Sequence, residues 1–66
     1  MDRLSEHSRR RRRELGLTQA ELAELAGVSE RFVRLVEGGK TTVRLDKLLA
    51  MFDVLGLRLG VELRVT

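Results

Sequence analysis

The sequence predicts a small, mostly helical domain: four short helices followed by one β-strand that pairs with its own copy in a second chain. Three observations predict it. Capping residues and glycines recur at short intervals up to Gly56, apolar residues between them fall at helical spacing, and residues 57–65 then switch to strict alternation. Length sets the frame. A chain of 66 residues buries only about 60% of its unfolded surface, so one domain with a marginal core is expected. With no cysteine it has neither a disulfide nor a thiolate metal site, and the staple a small scaffold needs is expected to be a partner subunit.

The first helix is expected from about Arg3 to Leu15, with Leu4, Ser8, Arg11 or Arg12, and Leu15 on one face. That stripe is thin, and burying it requires arginine stems to lie along apolar surface. Gly16 is expected to cap it in the left-handed conformation, with Leu17 as the following hydrophobic contact. Thr18-Gln19-Ala20-Glu21 reads as a capping box and starts the second helix. Leu22, Ala23, Leu25 and Ala26 supply its inner side, and Gly27 stops it. Val28 is a buried pivot, and Ser29 is the N-cap of a third helix with Val33 and Val36 inward and Phe32 and Leu35 beside them. Gly38-Gly39 closes it. Leu45, Leu48, Leu49, Phe52 and Leu55 then recur at helical spacing, Asp46 suits the first-turn dipole, and Gly56 ends the fourth helix.

In the tail, Leu57, Leu59, Val61, Leu63 and Val65 alternate with Arg58, Gly60, Glu62 and Arg64. This is a strand pattern, and the rest of the chain offers no second strand to pair with it. A second copy solves the problem. Antiparallel pairing centred on Gly60 sets Arg58 opposite Glu62 of the other copy, whereas centring on Val61 sets Arg58 opposite Arg64, so the Gly60 register is expected. The dimerisation residues are then Leu57, Arg58, Leu59, Gly60, Val61, Glu62, Leu63 and Val65, with 1–56 as the rest of the same domain.

The net charge is +3, and all of it lies in residues 1–14, where Arg3 and Arg9 to Arg13 face only Asp2, Glu6 and Glu14. From Leu15 onward seven basic residues balance seven acidic ones. A block of five like charges is either a solvated arm or a site for a polyanion. Helix residues one turn apart share a face, so only two or three of these arginines can point at one duplex; Arg9, Arg12 and Arg13 form such a set.

Two short helices joined by a glycine turn can place the second helix in a DNA major groove, and Thr18 to Glu37 meets the geometric needs of that unit. Ala23 is small where the helices approach, Gly27 permits the turn, and Val28, Val33 and Val36 lock the crossing. Leu17-Thr18-Gln19-Ala20-Glu21-Leu22-Ala23, Gly27-Val28-Ser29 and Val36-Glu37-Gly38-Gly39-Lys40 together resemble the helix-turn-helix family of the phage lambda and 434 repressors, the Xre family. The resemblance covers about Arg9 to Leu57. The alternating tail further resembles the HipB-like branch, antitoxins that repress their own operon and pair with HipA-like kinase toxins. Ser8 departs from the family pattern, which has an apolar residue there.

The resemblance implies that Ser29, Glu30, Arg31, Arg34 and Leu35 face the groove. Arg31 and Arg34 share a helix face, and arginine can donate two hydrogen bonds to guanine. Glu30 either accepts from cytosine or pairs with Arg34 within the helix; Leu35 and Phe32 read chiefly as packing. Phosphate contacts are expected at Thr18 and Gln19, at Lys40 and Thr41, and at Arg9, Arg12 and Arg13. The expected partners are a palindromic duplex operator, a second copy of the chain and a HipA-like toxin, in the cytoplasm, with no membrane, no metal and no cofactor. The alternatives are a stand-alone regulator without a toxin, a toxin-binding interaction module, and an RNA-binding arm, which the near absence of aromatics disfavours. An enzyme is not expected, because there is one histidine, His7, on a weakly anchored first helix, and no cysteine, tyrosine or glycine-rich phosphate loop.

Overall fold

The computed structural model describes residues 3–40 and 42–58, which form four helices: α1 (Arg3–Glu14), α2 (Gln19–Ala26), α3 (Glu30–Glu37) and α4 (Leu45–Leu55). Leu57 and Arg58, expected to open the strand of residues 57–65, follow α4 without regular structure, and the rest of that expected strand lies outside the described residues.

Local chemistry sets the boundaries. Thr18 caps α2: its hydroxyl accepts from the Glu21 amide at 3.0 Å, and its own amide donates to the Glu21 carboxylate at 2.8 Å. The capping box therefore satisfies two amides at the start of the helix. Gly27 ends α2 at φ +70, a left-handed turn that glycine adopts without the steric cost a Cβ would bring. Three residues later α3 begins, with the Ser29 hydroxyl accepting from the Phe32 amide at 3.0 Å. Gly56 closes α4 in the same left-handed conformation, φ +71.

The core is assembled from α2, α3 and α4. Leu22, Ala23, Phe32, Val33, Val36, Leu48, Met51, Phe52 and Leu55 are buried together, with Leu17, Ala26, Val28, Val43, Val54 and Leu57 packed against them. Several expected core positions differ. Leu25, expected on the inner side of α2, is 62% exposed, and Leu45 and Leu49 also face outward while Met51 is fully buried. On such short helices leucines populate more than one stripe, and the packing angle of α2 against α4 selects Leu22 over Leu25 and the Leu48, Met51, Phe52, Leu55 stripe over Leu45 and Leu49. Val28 is half-buried rather than fully buried.

The largest rotation from expectation is in α1. Its inward residues are Ser5 and Ser8 with Arg12 behind them, whereas Leu4 and Leu15 are exposed. Ser8 is fully buried and its hydroxyl has no hydrogen-bond partner among the described residues. The packing therefore closes over Ser8, and α1 contributes little apolar area. Polar contacts hold it to the rest of the fold instead.

Candidate nucleic-acid interface

The outer side of α3 carries the residues expected to read bases. Phe32, Val33, Val36 and Glu37 point inward and fix the helix, which leaves Ser29, Glu30, Arg31, Arg34 and Leu35 on the exposed side. Arg31 has no protein partner among the described residues. Arg34 does: its Nη1 donates to Glu30 Oε2 at 2.9 Å, one turn back. Both side chains are about half exposed, so this pair stabilises by only about 0.3–0.5 kcal/mol and can open when a better acceptor arrives. Ser29 is committed first to capping. Its oxygen takes the Phe32 amide, and only the hydroxyl proton is left to donate.

Beside α3 lies the amino end of α2. Thr18 was expected to offer a free amide to a phosphate, but that amide is bound to Glu21. Its hydroxyl is likewise engaged in the cap. The Gln19 side chain donates to Glu37 Oε1 at 3.1 Å, so of the groups expected to hold phosphate there, the Gln19 backbone amide is the one left open. Lys40 is exposed, its amide returning to the Leu35 carbonyl at 2.9 Å, and Thr41 lies outside the described residues.

The arginine run is where structure and expectation part. Arg12 turns inward: Nε donates to Glu37 Oε2 at 2.7 Å, Nη2 to Glu37 Oε1 at 3.0 Å and Nη1 to the Leu17 carbonyl at 2.8 Å. Arg9 Nη1 donates to the Glu37 carbonyl at 2.9 Å. These two, expected to hold phosphate, instead fasten α1 to the carboxyl end of α3, where unpaired carbonyls attract cations. Arg11 does the same for α4, donating from Nε to the Leu55 carbonyl at 2.8 Å and from Nη1 to Glu14 at 3.3 Å. Of the expected set, Arg13 alone is exposed without a protein partner among the described residues.

Glu37 organises this corner, and sequence reading passed over it. It is 5% exposed and receives Arg12 twice and Gln19 once. The signal was present, since Val33, Val36 and Glu37 are spaced three and four apart on the inward face. Burial pushes the Glu37 carboxyl upward, but hydrogen bonds from Arg12 and Gln19 and the charges of Arg12 and Arg9 outweigh it and hold the group below its ordinary value. The hydrogen bond to Glu37 in turn raises Arg12, against the opposing effect of burial.

A pH dependence follows. Above the ordinary value of 4.5 the carboxylate is ionised in both folded and unfolded chains, and the pair contributes fully. Below it the unfolded chain takes up the proton first, so stability falls as the pH drops toward the lower folded value. The melting temperature is expected to be flat from roughly pH 5 to 8 and to decline in more acid solution. Glu37→Gln, melted over the same range, should lose this part of the decline; an unchanged acid slope in that variant would assign the dependence to other carboxylates. Asp46 is also held below its ordinary value, by a hydrogen bond from Arg44, but it is solvent-exposed.

Arg9, Arg12, Arg13, Gln19, Arg34, Glu37 and Gly38 line one open depression of about 300 Å³ where α1, α2 and α3 meet. The exposed side of α3, with Arg31 and Arg34, and the unpartnered Arg13 beside this depression lie along one basic face. No helix among the described residues is long and apolar enough to cross a membrane. A comparison with curated proteins found no match. The model of one family, described as helix-turn-helix and comprising DNA-binding transcription regulators, matches residues 9–61. That span takes in all of the α2–α3 unit and of α4, the second half of α1 and most of the chain, and the protein belongs to the lambda-repressor-like, or Xre, helix-turn-helix family.

Proposed function

We propose that this protein is a sequence-specific repressor that binds a palindromic duplex operator as a homodimer. The observation that carries the reading is the exposed side of α3, where Arg31 is unengaged and Arg34 is held only by a solvent-exposed pair. Each arginine can donate two hydrogen bonds to O6 and N7 of a guanine, a contact that discriminates by about 1–3 kcal/mol. Glu30 has two uses. In the free protein it holds Arg34 extended along the helix, and on DNA it is free to accept from a cytosine amino group once Arg34 has turned to a guanine. Ser29 donates its remaining hydroxyl proton. The Gln19 amide, Lys40, Thr41 and Arg13 fix the helix against the phosphates.

The dimer rests on the alternation of residues 57–65. A two-fold pair of these segments would set two copies of α3 about 34 Å apart, one helical turn of DNA. The same alternation supports a narrower reading, a HipB-like antitoxin that represses its own operon and binds a HipA-like kinase toxin. An adjacent reading frame for a kinase-like protein would support the antitoxin; its absence would favour a stand-alone regulator.

The test begins with selection of a binding site from a random duplex library, followed by gel shifts on that site and on random DNA. Arg31→Ala or Arg34→Ala is expected to cost about tenfold or more in discrimination. Full specificity in both variants would remove α3 from base reading. Sedimentation of a chain ending at Gly56 should show a monomer, and a dimer would refute the role of the tail.

A further inference from the structure

The five consecutive arginines divide by partner. Arg9, Arg11 and Arg12 are engaged inside the fold, whereas Arg10 and Arg13 are exposed with no protein partner among the described residues. The two lie three residues apart, about 4.5 Å along the axis of α1, on its outer side. With Arg9, Glu6 and Glu14 they line a second open depression, of about 630 Å³. The depression between α1, α2 and α3 shares Arg9 and Arg13 with this one and continues to Gln19 and Arg34. A basic track therefore runs without a break from the recognition helix, past the amino end of α2, and around α1.

We propose that Arg10 and Arg13 form a phosphate-binding site for the duplex backbone that flanks the base pairs read by α3. The inference rests on the DNA-binding reading above and extends it to a surface outside the helix-turn-helix unit. Unpaired like charges one turn apart cost a helix a few tenths of a kcal/mol. An arginine in the last turn recovers part of that from the helix dipole. This accounts for Arg13, which lies in the last turn; Arg10, with Glu6 and Glu14 one turn to either side, forms no hydrogen bond or ion pair among the described residues. Of the two carboxylates in the depression, Glu14 is already bound to Arg11, so only Glu6 opposes an anion there. Phe32 and Phe52 are both buried, so no exposed aromatic offers single-stranded nucleic acid a stacking platform. A duplex backbone fits the track better.

The probe is a fluorescein-labelled random duplex of about 30 base pairs, titrated by anisotropy over a series of salt concentrations. Arg10→Ala/Arg13→Ala should flatten the plot of log affinity against log salt by about 1.8 per bound protomer, the release of two phosphates' counterions. Arg10→Lys/Arg13→Lys should restore the slope, and thermal melting should be unchanged, since neither side chain holds the fold. On a duplex trimmed to the ends of the selected site, the wild-type slope should fall to that of the double alanine variant. An unaltered slope in that variant, with Lys40→Ala still reducing it, would overturn this site and leave the DNA-binding reading intact. Equal wild-type slopes on trimmed and long duplexes would also overturn it. Failure of the wild type to bind any duplex would refute the DNA-binding reading itself. Tighter binding to a single-stranded RNA, with the same loss in the double variant, would assign the arginines to another polyanion and refute the proposal.

Discussion

Arg12→Ala is expected to remove a large share of the protein's folding stability. The substitution strands the Glu37 carboxylate, 5% exposed, with Gln19 as its one remaining side-chain donor among the described residues. Removing one member of a buried ion pair costs about 3–5 kcal/mol. A domain of 66 residues has a total stability on the order of 3–10 kcal/mol, so the loss is a large share of it. The variant also releases the Leu17 carbonyl that Arg12 holds. Circular dichroism and urea titration would measure the loss. A pair of apolar replacements, Arg12→Met with Glu37→Leu, leaves no charge behind and should retain far more stability than either charge-stranding single variant. If Arg12→Ala melts within a few degrees of the wild type, the pair is a surface contact in solution and the account of α1 docking fails.

Leu22→Ala should be comparably severe, while Leu25→Ala should be nearly silent. The two leucines sit in the same helix and read alike in the sequence, yet one is fully buried and the other 62% exposed. Truncating a buried leucine costs about 2–5 kcal/mol, the transfer term plus the cavity it leaves between α2, α3 and α4. Surface truncation stays within about 0.5 kcal/mol. Chemical denaturation of the two variants side by side gives the answer. Similar losses for both would mean that Leu25 is covered in solution, which is what burial against a second subunit would produce.

The contrast between these leucines marks what could be read from the chain. Helix limits were legible because they rest on local chemistry: the Thr18 hydroxyl and Glu21 carboxylate, the Ser29 cap, and glycines at 27 and 56 act within a few residues of themselves. The inner valines of α3 were legible for the same reason, one helical period in one short segment. Which leucines of α2 and α4 are buried depends on how the helices cross, and no local pattern encodes that. The arginine run was the least legible part. Five identical residues carry no periodicity, and three of them are sorted by acceptors at the ends of distant helices: the Glu37 carboxylate, the Glu37 carbonyl and the Leu55 carbonyl. Glu37 stands at a helix end beside two glycines, where the local pattern gives it no role, although its spacing from Val33 and Val36 places it inside.

The sequence separations of the α1 contacts bear on the order of folding. Arg12 reaches 25 residues ahead to Glu37, Arg9 reaches 28, and Arg11 reaches 44 to Leu55. The α2–α3 pair, by contrast, is joined by a turn of only three residues, 27–29. Contacts of high sequence separation form late because the loop between them must close first. Of the four helices α1 is made first and completes its docking last: Arg9 and Arg12 must wait for the end of α3, and Arg11 for the end of α4.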